Sequence, residues 1–151
     1  MDKEFIIEIY KKSIDWTCSY TKGVIAPVLR EINFVYPNLT WTQILTLKLL
    51  SRTGKINMTQ AANAIVVPKP NLTKTIDALV ENELVERTAD AANRKTVLIS
   101  LTSKGEEVAA DCDCLQKNYF RQLITRNLTE SEQKSLLTIL EDLNRISTFF
   151  N

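Results

Sequence analysis

The chain has 151 residues, 44% of them hydrophobic, and a formal net charge of +1, which is one domain's worth and enough for a sizeable core. It contains no histidine and three cysteines, Cys18, Cys112 and Cys114. That excludes histidine-based triads, HExxH zinc sites and two-histidine-one-carboxylate iron sites, and gives no basis for a disulfide framework.

No apolar run approaches the roughly 20 residues needed to cross a bilayer, and Met1-Asp2-Lys3-Glu4 is not the basic start of a secretion signal. A cytoplasmic protein with no membrane partner is therefore expected. With three glycines and four prolines, long helices should dominate. The small net charge hides an uneven distribution. Between Glu31 and Asp77 no acidic residue occurs, while Lys48, Arg52, Lys55, Lys69 and Lys74 fall in that window. A surface cleared of carboxylates suits a polyanion.

From about Lys3 to Tyr20 the spacing predicts a helix with more apolar surface (Phe5, Ile6, Ile9, Tyr10, Ile14, Trp16) than packing on one side requires, so part of it should face a partner. Gly23 and Pro27 should interrupt or bend the pattern, and Val24, Ile25, Val28, Leu29 and Ile32 carry helical periodicity to about Asn33. After Pro37, Thr40-Trp41-Thr42-Gln43 has the form of a capping box, and Gly54 is placed to end that helix. A short helix is expected from Thr59 to about Val66, then a turn forced by Val67-Pro68-Lys69-Pro70. Pro70 suits a first helical position, so a second short helix should run from Pro70 to Asn82. Its apolar face is Leu72, Ile76, Leu79 and Val80, and its other face shows Asn71, Thr73, Lys74 and Thr75 near the start. Two short helices about a tight turn make a helix-turn-helix, and the second has what a major-groove reading helix needs. An ordinary amphipathic surface helix is the plainer account of that segment alone.

The β-prone pieces Leu84 to Arg87 and Thr96 to Leu101 flank a polar, turn-rich stretch, which predicts a hairpin with Arg94 and Lys95 at its tip. A helix-turn-helix followed by such a hairpin is a winged helix, and an arginine held at a wing tip is a minor-groove probe. Thr102-Ser103-Lys104-Gly105-Glu106 should begin a helix reaching about Thr125. Thr129-x-x-Glu132 is a second capping box, before a Leu136, Leu137, Leu140, Leu143, Ile146, Phe150 stripe. Phe149 and Phe150 are expected to dock, most simply on the N-terminal helix of the same or another subunit.

The motifs Leu39-Thr40-x-x-Gln43, Pro70-Asn71-Leu72-Thr73-Lys74, Leu79, Leu84-Val85-x-Arg87, Arg94-Lys95 and Leu101-Thr102-x-x-Gly105, covering roughly residues 30 to 110, resemble the MarR family of bacterial winged-helix transcriptional regulators. The fold class expected is mainly α with a small β-hairpin wing. Residues 1–36 should form an N-terminal dimerisation region, 37–101 the winged lobe and 102–151 the C-terminal dimerisation helices. The resemblance implies a homodimer on a pseudo-palindromic operator, with the fourth helix in the major groove and the wing in the minor groove of double-stranded DNA. It further implies a regulator, most simply a repressor, tuned by a small apolar or phenolic effector lodged between dimerisation helices and DNA-binding lobe. The expected DNA-contact set is Lys55, Lys69, Pro70, Asn71, Thr73, Lys74, Thr75, Arg87, Arg94 and Lys95. Two positions depart from the family pattern. Asn93 replaces the usual Asp before the wing cations, and Glu83 replaces the Gly after the reading helix. A non-Gly residue in a left-handed cap costs on the order of 1 kcal/mol, and Asn82 is the alternative occupant of that conformation.

Cys18, among Tyr10, Trp16 and Tyr20, invites a thiol-based redox-sensing alternative, although a buried structural cysteine is the commoner case. Cys112 and Cys114, two apart on a helix, point about 200° apart and cannot grip one ion within a subunit. No cofactor, metal or catalytic constellation is expected, so the chain is not read as an enzyme. The rival from another class is a winged-helix module for protein-protein contact with weak DNA binding.

Overall fold

The computed structural model describes residues 3–91, 93 and 96–148. It divides into two compact units, Met1–Gln116 and Lys117–Asn151, with one long helix crossing the division.

The first unit begins with α1 (Lys3–Tyr20), none of whose residues is buried. A π-helical turn, Thr21–Ile25, joins it to α2 (Ala26–Val35). The interruption expected at Gly23 and Pro27 is thus a widened turn, with helical backbone at Tyr20 and Ala26 on either side. Pro27 lacks an N–H and its ring crowds the carbonyl four residues back. One extra residue per turn relieves that clash without ending the helix. Val28 and Ile32 carry α2 into the core. Beyond it, the Asn33 amide donates to the Leu29 and Leu39 carbonyls at 2.9 and 3.0 Å, which ties down the loop to α3 (Trp41–Thr53).

At the start of α3 both bonds of the expected capping box form. The Gln43 N–H donates to Thr40 Oγ1 at 3.3 Å, and the Thr40 N–H donates to Gln43 Oε1 at 2.7 Å. Gly54 closes the helix at φ +68°. Next come a two-residue strand β1 (Ile56–Asn57), α4 (Met58–Ala64) and α5 (Lys69–Glu81). After these the chain forms the hairpin of β2 (Val85–Ala89) and β3 (Val97–Leu101). The sheet order is β1-β3-β2, antiparallel throughout, with Ile56 opposite Ile99 and Arg87 opposite Ile99 on the other side. Strand β1 was not expected, because two residues are too short to show a period-two pattern. Ile44 and Leu47 of α3, Leu72, Ile76 and Leu79 of α5, and Ile99 of β3 are fully buried, so one core holds helix-turn-helix and sheet together.

Helix α6 (Ser103–Asn127) follows β3 directly. Cys112 is buried and Cys114 exposed, as their spacing requires. Burial chiefly, with the Asp111 charge adding and Lys48 opposing, pushes the Cys112 thiol up to about 11. The second unit holds the end of α6 and α7 (Glu130–Ser147), which opens on the expected Thr129–Glu132 capping box. Hydrogen bonds from the Thr129 backbone and hydroxyl hold the Glu132 carboxyl below its usual range. Phe149 and Phe150 lie outside the described residues.

Candidate nucleic-acid interface

Helix α4 is set by a capping box that the sequence reading passed over: the Gln60 N–H donates to Asn57 Oδ1 at 2.9 Å and the Asn57 N–H to Gln60 Oε1 at 3.1 Å. Its small buried residues, Ala61 and Ala62, let α5 approach closely. The helix ends at Ala64, two residues short of the expectation, because Val66 is in the left-handed region at φ +53°. A β-branched residue in that region is a genuine outlier, and Val66 is also 88% exposed. Val66→Gly is expected to raise stability by about 1 kcal/mol, read as a higher urea midpoint at unchanged slope; a lowered midpoint would show that the Val66 side chain is needed.

The turn delivers the chain to α5, the helix expected to read DNA. It begins at Lys69, one residue before the expected Pro70, because Pro68 holds the extended conformation of an N-cap and Pro70 takes the second helical position. The Pro68 carbonyl accepts from the Asn71 and Leu72 amides at 2.9 and 3.0 Å. Lys69, Pro70, Asn71, Thr73 and Lys74 are exposed and Thr75 is half-buried, while Leu72, Ile76 and Leu79 anchor the opposite face. The Thr73 and Thr75 hydroxyls each donate to a carbonyl four residues back, Lys69 and Asn71, at 3.0 Å. Each hydroxyl oxygen therefore keeps its lone pairs as acceptors. Counting Lys3–Tyr20 and Ala26–Val35 as one helix around the π turn makes α5 the fourth, as the resemblance implied.

At the far end of α5, Glu83 and not Asn82 takes the left-handed conformation, φ +60° against −84°. The structure supports it from three sides. Thr102 Oγ1 donates to the Glu83 carbonyl at 2.6 Å, and Lys104 Nζ donates to the Asn82 carbonyl at 2.9 Å and approaches Glu83 Oε2 at 3.3 Å. The cation also sits well against the negative end of the helix.

The other expected contacts divide. Lys55 is exposed just before β1. Arg87, on β2, is committed to the reading helix: its Nη2 donates to Asp77 Oδ1 at 2.6 Å. The wing closes through the Asp90 N–H on the Thr96 carbonyl and the Thr96 N–H on the Asn93 carbonyl, at 2.9 and 2.7 Å. Arg94 and Lys95 lie outside the described residues. Cys18 is exposed on α1, not buried as the commoner case would have it; Trp16 and Tyr20, whose rings stack 5.3 Å apart, are each two residues from it and so lie on the other side of the helix.

Known proteins agree with this arrangement. The MarR family model matches residues 39–97, from the residue before the α3 cap to the start of β3. The HTH-type transcriptional regulator YsmB of Bacillus subtilis is 26% identical over 136 residues, 87% of this chain and 92% of that protein. Among solved structures, RV1404 from Mycobacterium tuberculosis superimposes with a TM-score of 0.79 at 22% identity, covering 98% of this chain and 96% of that one. Streptococcus pneumoniae FabT, crystallised with DNA, superimposes at 0.75 and 15% identity, covering 94% and 99%. With a capped helix-turn-helix, a hairpin wing, and a family model that runs from the α3 cap to the first residue of β3, the chain is similar to the MarR family of winged-helix transcriptional regulators.

Proposed function

We infer that the protein is a homodimeric, sequence-specific repressor that reads a pseudo-palindromic operator with α5 and whose grip a small ligand adjusts. The carrying observation is the exposed face of α5. Lys69, Asn71, Thr73 and Lys74 stand clear of solvent-excluded neighbours on a helix that three fully buried side chains fix to the core, in a stretch without any carboxylate before Asp77. Short acceptors and cations on a rigid helix are what base edges and phosphates recognise. Arg94 and Lys95 belong to this reading as the wing's minor-groove probe, and Lys55 as a backbone contact.

Two further observations support the finer points. Helix α1 shows Phe5, Ile6, Ile7, Ile9, Tyr10 and Trp16 about half exposed or more, far beyond scattered surface apolar residues, and a second copy is the simplest cover. A cavity of about 380 Å³ lies among Tyr36, Leu39, Gln43, Leu84, Lys104 and Val108, within the size range of small-molecule sites. The apolar side chains of Leu39, Leu84 and Val108 in its lining suit a small apolar or phenolic ligand, and Lys104 and Leu84 adjoin the end of α5. Tyr36 at its edge donates to the Asp111 carboxylate. That bond above all, with burial and the Asp111 charge, pushes the phenol up to about 12 from an ordinary 10. Because the folded value lies above the unfolded one, the stability from this contact is complete below pH 10 and is lost as pH rises through about 12. A spectrophotometric titration should therefore lose its phenolate step near pH 12 in Tyr36→Phe; a difference confined to pH 10 would contradict the contact.

The test is binding of Lys74→Ala and Arg94→Ala to an operator duplex. Each substitution should cost about 1–3 kcal/mol if it removes a base contact, or lower the salt slope by about one if it removes a phosphate contact. Variants that bind like the wild type would favour a protein-contact module instead.

A further inference from the structure

Asp77 is the first carboxylate after the acid-free window, and it lies on the reading helix itself. It follows Thr73 by four residues and Lys74 by three, so it shares their face one turn further along α5. It is exposed. A bare carboxylate there would stand toward the same phosphates that Lys74 attracts, and like charges brought together as water leaves an interface are costly. Arg87 reaches across from β2 to meet it. The contact at 2.6 Å has the short length of a charge-assisted bond, with the two side chains 36% and 55% exposed. In water such a pair adds little to stability. Its consequence lies at the interface, where it cancels the charge that α5 would otherwise carry toward DNA.

We propose that Arg87 is a positioning residue for DNA binding, acting through Asp77: it neutralises the carboxylate and holds it toward β2, so that α5 enters the groove without a repelling charge. Arg87 is then not a phosphate contact of its own, which separates it from Lys69 and Lys74. The inference rests on the DNA-binding reading above.

The experiment compares wild type, Arg87→Ala, Asp77→Asn and the double variant on an operator duplex selected from a random-sequence pool, each at several salt concentrations and with a thermal melt alongside. Arg87→Ala should weaken binding about tenfold with the salt slope unchanged, and adding Asp77→Asn should restore affinity to within about threefold of wild type. A direct phosphate contact predicts the opposite: a slope reduced by about 0.9 and no rescue. A merely structural role predicts a lower melting temperature in the single and double variants alike, again without rescue. Either result overturns the proposal while leaving the DNA-binding reading intact. A wild-type protein that selects no duplex overturns that reading and, with it, this one.

Discussion

Gly105→Ala should lower the melting temperature by about 10 °C, the effect of a loss of roughly 3 kcal/mol in a chain of this size. A Cβ built on Gly105 would lie 1.9 Å from the Leu84 carbonyl oxygen and 2.9 Å from its carbon. Both are backbone atoms, so no side-chain rotation relieves the clash. The Leu84 carbonyl also accepts from the Thr102 N–H at 3.1 Å, and the Leu84 N–H donates to the Leu79 carbonyl at 2.9 Å. Pushing Leu84 away would therefore disturb the end of α5, the root of β2 and the first turn of α6 together. The motif Leu101-Thr102-x-x-Gly105 acquires its physical reason here. Thr102 caps the Gly105 amide at 3.0 Å, and Gly105 lets α6 lie against the exit of the reading helix. A melt unchanged within 2 °C, roughly half a kcal/mol, would show that the backbone yields cheaply at this point.

On the proposed homodimer, placing charges on α1, as in Ile6→Glu with Tyr10→Glu, should convert the protein to a monomer and weaken operator binding by about a hundredfold or more. The loss comes from geometry. Two linked reading helices engage two half-sites, and the second engagement is effectively intramolecular, which multiplies affinity by about 10² to 10⁴ without any new contact. Tyr10 is 65% exposed and Ile6 47%, and α1 has no buried residue, so the substitutions remove nothing from the core and the monomer should keep its helical content. Sedimentation velocity and an anisotropy titration of the same preparation read both effects. A dimer that persists with its DNA affinity intact would place the assembly surface elsewhere.

Where local chemistry decides the backbone, the sequence was legible. Thr40 with Gln43 and Thr129 with Glu132 form the capping boxes their spacing predicts, Gly54 ends its helix with positive φ, and the period of Leu72, Ile76 and Leu79 marks the face that is buried. What escaped was decided by distant or very short contacts. Strand β1 exists because Ile56 finds Ile99 across the sheet, and Asn57 reads as loop unless its bond to Gln60 is foreseen. Gly23 and Pro27 signalled a break, and only the packing of Val28 and Ile32 shows that the helix survives as a widened turn. In the site, the residue types on α5 were readable, since exposure follows from the helical period. The pairing of Arg87 with Asp77 was not, because the end of a helix, a turn and the start of a strand lie between these positions, ten apart in the chain, and no periodicity relates helix to sheet. Arg87 read as one more cation for DNA, and the structure pairs it with Asp77.

Sequence-specific DNA binding is tested most directly by a fluorescence-anisotropy titration of the 151-residue chain against duplex DNA from upstream of its own gene and against a shuffled duplex of the same composition, at several salt concentrations. The account predicts nanomolar binding to the first, at least a thousandfold tighter than to the second, weakening steeply with salt. Equal, weak binding to both duplexes would contradict it.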